Sequence, residues 1–434
     1  MKIDKVRLTN YRCHRDIAVS FSPHFNVLVG ANGSGKTSLL KGIAELFNGF
    51  VGGVSSKSIA PTLTADSVRV ERIDIQGRLR FEEQYPVSVL AEGSIGDKRL
   101  SWGVTREAPT GNFTYLGGQP GDVWKTASDK GVNTALAKKL PILAFYQANR
   151  QWNLNRASEL EAATSKDGRM NAYNNFFNAS SDAASLQTWV ISKCLERFQV
   201  SSETNRLFDE VTDDELALVN GALANAIGEI QGIKFDMREK SLLVEWKQSA
   251  GSSRSATVFG NLSDGQKAVV GLIVDIARRI CLLNPQLGQS AIKETPGIVL
   301  IDELDMHLHP KWQRALTLGL QSAFPSVQFI VASHSPQILG EMKPDQIIVL
   351  TGGTTSNPQV SYGLDSSAVL EEIMDVPARP LEVANELSAL FEALERNELN
   401  VARQHLAKLR AGAPGIVELN RAEALLKRKE VLGR

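Results

Sequence analysis

FNVLVGANGSGKT, from Phe25 to Thr37, sets the architecture of this chain. Its first five residues form an apolar run of strand length, which marks a strand buried on both faces. Gly30 to Thr37 then matches GxxxxGK[ST] in full, and an apolar-periodic helix follows from Ser38 to about Phe47. Strand, glycine-rich loop and helix, in that order, is the context a phosphate-binding loop requires. In such a loop Gly30, Asn32, Gly33, Ser34 and Gly35 turn backbone N–H groups toward phosphate oxygens, with Ser38 in the first helical turn behind them. Lys36 supplies a point charge to the outer phosphates, and the Thr37 hydroxyl is a ligand for Mg2+. A chance glycine-rich turn has no reason to fall between a buried strand and such a helix, so the pattern points to ATP or GTP.

On either side of this loop the pattern continues. Lys2 to Thr9 and Ile17 to Phe21 alternate as strands do. Asn48 to Asp66 is rich in Gly, Ser and Thr and is expected to be a loop. Ser67 to Phe81, Val87 to Leu90 and Leu100 to Thr105 are expected strands of an antiparallel sheet beside the nucleotide core. Ile142 to Tyr146 is a further strand, ending in Gln147. Helices are expected to dominate Ala183 to Ile230, with a cap near Thr212 to Glu215. Strand-like Leu242 to Trp246 precedes a helix reaching about Leu283, and buried strands follow at Gly297 to Asp302, Val327 to Ala332 and Ile347 to Leu350. Such runs alternating with helices argue an α/β fold around a mixed, mostly parallel sheet covered on both faces. Beyond about Gly363 the chain reads as helical, with Leu381, Ala384, Leu387, Phe391 and Leu394 on one stripe. The expected organisation is an ATPase head over residues 1–363, with a helical insertion at about 182–240, and a C-terminal helical module over 364–434.

Two adjacent carboxylates, Asp302 and Glu303, end the strand GIVLI. They would arrive at the carboxyl end of a strand, where open α/β sheets bind ligands. Asp302 is placed to hold Mg2+, and Glu303 to polarise the attacking water at a γ-phosphate. NLSDGQ, from Asn261 to Gln266, opens a helix. There Ser263 and Gly265 offer a hydroxyl, a backbone N–H and a helix N-terminus to a phosphate, with Gln266 beside them; a plain helix cap at Ser263 or Asp264 is the competing reading. After the next buried strand comes SHSP, from Ser333 to Pro336, whose His334 imidazole can donate to a γ-phosphate and report its presence. Gln147 is a candidate Mg2+ contact at its strand end, and a solvated loop residue accounts for it nearly as well. His307 and His309 lie two residues apart, a spacing more often structural than metal-binding.

Composition narrows the classes. The 434 residues hold 48 Lys+Arg against 48 Asp+Glu, so no global charge draws the chain onto nucleic acid or anionic membrane, although a local basic groove fits inside a balanced total. Cys13, Cys194 and Cys281 lie far apart without CxxC spacing, which argues against a disulfide framework and for a reducing, cytoplasmic setting. The N-terminus does not read as a signal peptide, and no window approaches the ~18 apolar residues of a membrane span.

The phosphate loop, Leu262 to Gln266, Ile298 to Pro310 and Ser333 to Pro336 together resemble the ATP-binding-cassette (ABC) ATPases of the SMC, RecF and OLD type. LTNYR, from Leu8 to Arg12, is similar to that group rather than to transporter subunits, and the resemblance implies that Arg12 and His14 approach the phosphates. It further implies that Ser263 meets the ATP of a second protomer, that Leu304 to Pro310 is a D-loop, that His334 is a switch histidine and that Gln147 is a Q-loop residue. Asp264 stands where the commonest signature has a second glycine. LPILAFYQANR (Leu140 to Arg150), LIDELDMHLHPKWQR (Leu300 to Arg314) and the FPSVQFIVASHSPQIL that follows are similar to a bacterial group called "predicted ATP-binding protein involved in virulence". That group includes the ATPase subunits of the Septu and retron anti-phage systems.

On this resemblance the expected cofactors are ATP and Mg2+, and the expected assembly is a homodimer or a higher even oligomer. The expected partner is a separate effector nuclease of the HNH or Toprim kind, with nucleic acid reached through the complex and no membrane. DxD-type clusters and His-Asn-His patterns are not found, so the chain is expected to carry no nuclease of its own. The alternative is a RecF/SMC-like repair or recombination ATPase that binds DNA directly, with a transporter subunit third. The helices beyond Pro380 are expected either to dock a partner or to cap the sheet.

Overall fold

A computed structural model describes residues 1–54, 62–118, 120–121, 139–150, 152, 159–165, 168–247 and 256–432. Strands β1 (Lys2–Tyr11) and β2 (His14–Ser20) pair antiparallel around a tight turn at Arg12 and Cys13. β3 (Phe25–Val29) buries all five of its residues and leads through the glycine loop into α1 (Lys36–Leu46). Of the expected loop from Asn48 to Asp66, residues 55–61 lie outside the described residues, and the start departs from the expectation: α2 (Asn48–Val54) is helical, because Phe50, Val51 and Val54 are buried and tertiary packing overrides weak propensity. Ser67 to Phe81 is likewise not one strand but part of a hairpin, β4 (Arg69–Ile75) and β5 (Arg78–Gln84), turned at Gln76 and Gly77, which both take positive φ.

β6 (Val87–Ile95), β7 (Lys98–Arg106) and β8 (Thr114–Gly117) complete a five-stranded antiparallel sheet in the order β2-β1-β6-β7-β8. β9 (Ile142–Tyr146) is fully buried. After it come α3 (Glu159–Thr164), α4 (Ala183–Thr204) and α5 (Glu215–Ala226), whose N-cap Asp214 accepts from the Ala217 N–H. The helical stretch ends earlier than expected, because β10 (Ile230–Asp236) is a strand inside the 182–240 insertion. It pairs with β11 (Ser241–Trp246), which pairs in turn with β12 (Ala256–Val258).

α6 (Asp264–Leu283) is buried almost throughout after its first turn. The remaining core elements are α7 (Ala291–Glu294), β13 (Gly297–Ile301), α8 (Pro310–Ala323), β14 (Val327–Ala332), α9 (Pro336–Leu339), β15 (Ile347–Thr351) and β16 (Thr354–Ser356). The central sheet runs β16-β15-β3-β14-β13-β9, parallel except for β16. The fold is therefore α/β, with a mixed, mostly parallel sheet beside an antiparallel one. Buried Gln328 joins the two sheets: its Oε1 accepts from the Ile3 N–H at 2.8 Å, and its Nε2 donates to the carbonyls of Ile3 and Ser22.

A second buried polar group anchors α6. The Tyr146 hydroxyl donates to Asp275 Oδ2 at 2.8 Å, Arg278 and Arg279 both pair with the same carboxylate, and Arg278 also reaches Asp182 at 2.7 Å. Arg279 further donates to the carbonyls of Ala172 and Asn174. Burial by itself would raise the Asp275 pKa, but the guanidiniums of Arg279 and Arg278 outweigh it and hold the carboxyl below its ordinary value. The network locks α6 to β9, the strand that leads into Gln147.

The chain divides into two compact units, Met1–Gly363 and Leu364–Arg434. The second contains α10 (Ser366–Glu372), α11 (Leu381–Glu395), α12 (Leu399–Gly412) and α13 (Glu418–Leu432), with its own core of Leu390, Ala393, Leu394, Ala402, Leu409, Leu419, Ala422 and Leu426. Its buried stripe is shifted from the expected one: Leu387 and Phe391 are only partly covered, and Leu381 is exposed.

Candidate functional site: a phosphate loop facing an acidic strand end

Where β3 stops, the backbone turns through residues that must be glycine. A Cβ at Gly30 (φ 156°) would stand 2.5 Å from the Leu350 carbonyl oxygen and 2.8 Å from Ser34 Oγ. At Gly35, the N-cap of α1 (φ 97°), it would overlap the His14 ring. Asn32 and Gly33 are exposed on the crest, Ser34 and Ser38 are half-buried, and the buried Ser34 Oγ has no partner among the described residues. Lys36 closes the loop on itself, its Nζ donating to the carbonyls of Gly30 at 2.9 Å and Ala31 at 3.1 Å. Burial lowers the pKa of this ammonium group, opposed by the nearby carboxylates of Asp302, Glu303 and Asp305.

Parallel pairing collects the other groups at the same sheet edge. In spatial order β3, β14, β13 and β9 end in Gly30, the pair Ser333 and His334, Asp302, and Gln147. Register sets Ile301 opposite Tyr146, and the Asp302 N–H donates to the Tyr146 carbonyl at 2.8 Å, so Asp302 and Gln147 are level. Asp302 is 3% exposed, and its Oδ2 accepts from Thr37 Oγ1 at 2.8 Å. Two hard oxygen donors thus stand side by side where the loop meets the acidic strand. The pair suits Mg2+, which takes few protein ligands and keeps water and phosphate oxygens in its other positions. Glu303 is exposed and left-handed, with φ 48°. Half-buried Gln147 donates its amide to the Phe177 carbonyl at 2.9 Å, leaving Oε1 as its available oxygen.

The turn after Glu303 is tied to the end of β14. The Leu304 N–H donates to the Ala332 carbonyl at 2.9 Å, and the half-buried His334 donates its backbone N–H to Asp305 Oδ1 at 3.3 Å. Gln313 bonds the Leu308 carbonyl and accepts from Ser335 Oγ, so the two loops form one block. His309 is the N-cap of α8, its Nδ1 accepting from the Lys311 N–H, which gives it a structural task.

Of the N-terminal pair, His14 touches the phosphate loop, with Nε2 3.1 Å from the Gly35 carbonyl oxygen. Arg12 lies in the β1–β2 turn at φ 53°, its N–H donating to Ser67 and its buried Nε without a hydrogen-bond partner among the described residues. Ser263 and Gln266 form a full capping box at the start of α6, and Ser263 is exposed. Gly265 faces the other way, because a Cβ there would overlap the His307 carbonyl oxygen. The helix-cap reading is therefore realised, and the exposed N-terminus of α6 stays open.

One site residue was given no role by the motifs. Arg150, 6% exposed, donates through its two terminal nitrogens to the carbonyls of Asp302 and Glu303. Burial pulls its pKa down to about 10 against the pull of the three carboxylates, so it remains charged at neutral pH. Its position four residues past a buried strand, at the end of LPILAFYQANR, was the available hint.

Residues 1–91 match the family described as "AAA ATPase domain", and residues 246–340 the one described as "AAA domain, putative AbiEii toxin, Type IV TA system". Among relatives, the chain is 40% identical over 147 residues to the retron Vc95 probable ATPase of Vibrio cholerae, a stretch that is 31% of this chain and 27% of that protein's length. It is 25% identical to the retron Ec83 probable ATPase of Escherichia coli, covering 88% of this chain and 78% of that one. The Septu protein PtuA of Bacillus thuringiensis is 23% identical, with 87% and 83% covered. A solved SMC head bound to the C-terminal winged-helix domain of ScpA aligns with 84% of this chain and 99% of its own, at 14% identity and a TM-score of 0.47.

Proposed function

Starting from an ABC-type P-loop ATPase similar to the Septu PtuA and retron ATPases, we propose that this protein binds and hydrolyses ATP with Mg2+ and uses the cycle to control a separate effector nuclease in anti-phage defence. The observation that carries the ATPase reading is the convergence of Lys36, Thr37, Asp302, Glu303 and His334 at the edge of one parallel sheet. The Gly30–Lys36 backbone cradles the phosphates, and Lys36 exchanges its loop carbonyls for phosphate oxygens. Thr37 and Asp302 would hold Mg2+, with Gln147 as a further candidate ligand, and the ion would neutralise charge on the outer phosphates. Glu303 accepts the proton of the attacking water, and the His334 imidazole donates to the γ-phosphate.

ATP then acts as the joint of a dimer. The exposed Ser263 end of α6 receives the γ-phosphate of a second protomer's ATP at the helix N-terminus, and the Gly265–His307 contact carries closure into the acidic turn. Glu303→Gln should slow turnover by about 100-fold or more and trap an ATP-bound dimer in light scattering, since only the proton acceptor is lost. Unchanged turnover, with no dimer accumulating, would rule this mechanism out. The nuclease link is tested by affinity-purifying the chain from its native operon and identifying what accompanies it by mass spectrometry.

A further inference from the structure

We propose that Arg150 is a positioning residue for ATP hydrolysis: its buried guanidinium clamps the main chain of the acidic turn and so fixes where the Glu303 carboxylate stands. The inference rests on the reading of Glu303 as the group that takes the water's proton.

The turn has to do something unusual for a non-glycine residue. β13 ends at Ile301, and within two residues the chain leaves the sheet through Glu303 in the left-handed region. L-residues avoid that region, and they hold it only where the surroundings over-determine it. Main-chain bonds fix the turn on two sides: the Asp302 N–H reaches the Tyr146 carbonyl at 2.8 Å, and the Leu304 N–H reaches Ala332 at 2.9 Å. The carbonyls of Asp302 and Glu303 fall between those two bonds in the chain, and they are what Arg150 holds. One terminal nitrogen donates to Asp302 and the other to Glu303 at 2.8 Å, a fork that only a planar guanidinium supplies. The Glu303 carbonyl also accepts from the Met306 N–H at 3.1 Å, so the clamp and the following turn share an atom.

Charge supports the same placement. Asp302, Glu303 and Asp305 all act on both Lys36 and Arg150, which leaves three carboxylates facing two buried cations. Lys36 is committed to the phosphate loop, so Arg150 is the buried cation left to balance the acidic turn. Its other side lines a cavity of about 330 Å3 with Trp152, Asp264, Lys267, Met306 and His307. Truncating the side chain enlarges a space that water can enter, so the shortened variants can fold.

The test compares Arg150→Ala, Arg150→Gln and Arg150→Lys in the full chain, each alone and in a Glu303→Gln background. Turnover and the affinity for a fluorescent ATP analogue are measured separately. A misplaced carboxylate predicts kcat lower by about 10- to 100-fold in Arg150→Ala and Arg150→Gln, with nucleotide affinity held within about threefold. Arg150→Lys recovers part of the rate, because it keeps the charge but cannot bridge two carbonyls. Combined with Glu303→Gln, Arg150→Ala adds no further loss, since it acts through that carboxylate. The proposal is overturned if Arg150→Ala turns over within about twofold of the parent, if affinity falls in step with kcat, or if the double variant shows additive losses. Should Arg150→Ala be insoluble, Arg150→Gln and Arg150→Lys decide by the same criteria. Parent-like turnover in Glu303→Gln instead condemns the reading of Glu303, a result distinct from a fast Arg150→Ala beside a slow Glu303→Gln.

Discussion

Gly265 shows how one atom can join two motifs. Its Cα packs on the carbonyl of His307, itself left-handed at φ 59°, and on the Leu308 side chain. A methyl group there meets backbone, which cannot rotate away. Gly265→Ala should lower stability by about 1–3 kcal/mol, while Gly260→Ala, with open space and no positive φ, should leave the melting temperature unchanged. Equal melting temperatures for the two would mean that the close approach is wrong. The same residue marks what the sequence could and could not disclose. Its place in LSDGQ pointed to a phosphate, whereas its nearest neighbour is a carbonyl some forty residues along the chain. The phosphate loop and the Asp302–Glu303 pair were legible because their chemistry is local to a short pattern. Arg150 was not, because its task depends on a side chain returning to carbonyls that are remote in sequence.

Among the elements, α6 depends most on charge. Asp275, Arg278 and Arg279 are each at most 1% exposed, and their pairing is completed by Tyr146 and Asp182. Replacing one member leaves the others buried and uncompensated, so Asp275→Asn should cost about 3–5 kcal/mol in chemical denaturation. An effect below about 1 kcal/mol would show that the network is dispensable. The sign with pH follows from the depressed Asp275 pKa. A native pKa below the unfolded value gives stability that is fully present above the ordinary 3.8 and is lost as pH falls from there through the lower native value. The parent should therefore lose stability below about pH 4 more steeply than Asp275→Asn. At this scale, local pattern served best where burial follows composition. β3, β9, β13 and β14 were plain as apolar runs, while α2 was hidden by its glycines and β10 by the helices before it. In both misses, long-range packing outweighed the local signal.

For the whole molecule, balanced charge and two separate cores frame the proposed role. With no net charge to hold DNA, a switch that acts on a partner is a better fit than an unaided DNA clamp. Because Leu364–Arg434 has its own core, a chain cut after Gly363 should keep ATP affinity within about threefold and lose the co-purifying nuclease. Retention of the nuclease by the cut chain would place its docking surface on the head instead. The division at Gly363 falls where the sequence turns helical, but the packing inside the second unit was not legible, since one amphipathic stripe does not name the helix it meets.

The strand order has a further consequence, in time rather than space. β3 lies between β14 and β15, and Phe25 pairs with Phe329, so this apolar strand is synthesised roughly 300 residues before either neighbour. At ~5–20 residues per second it waits on the order of 15–60 s as an unpaired apolar edge. Throughout that interval the phosphate loop has no acidic strand opposite it, and ATP cannot lend its binding energy to the nascent chain. The nucleotide that is proposed to drive the finished protein is of no help in making it, and the early product must rely on its local antiparallel sheet, or on a chaperone, to stay out of aggregates.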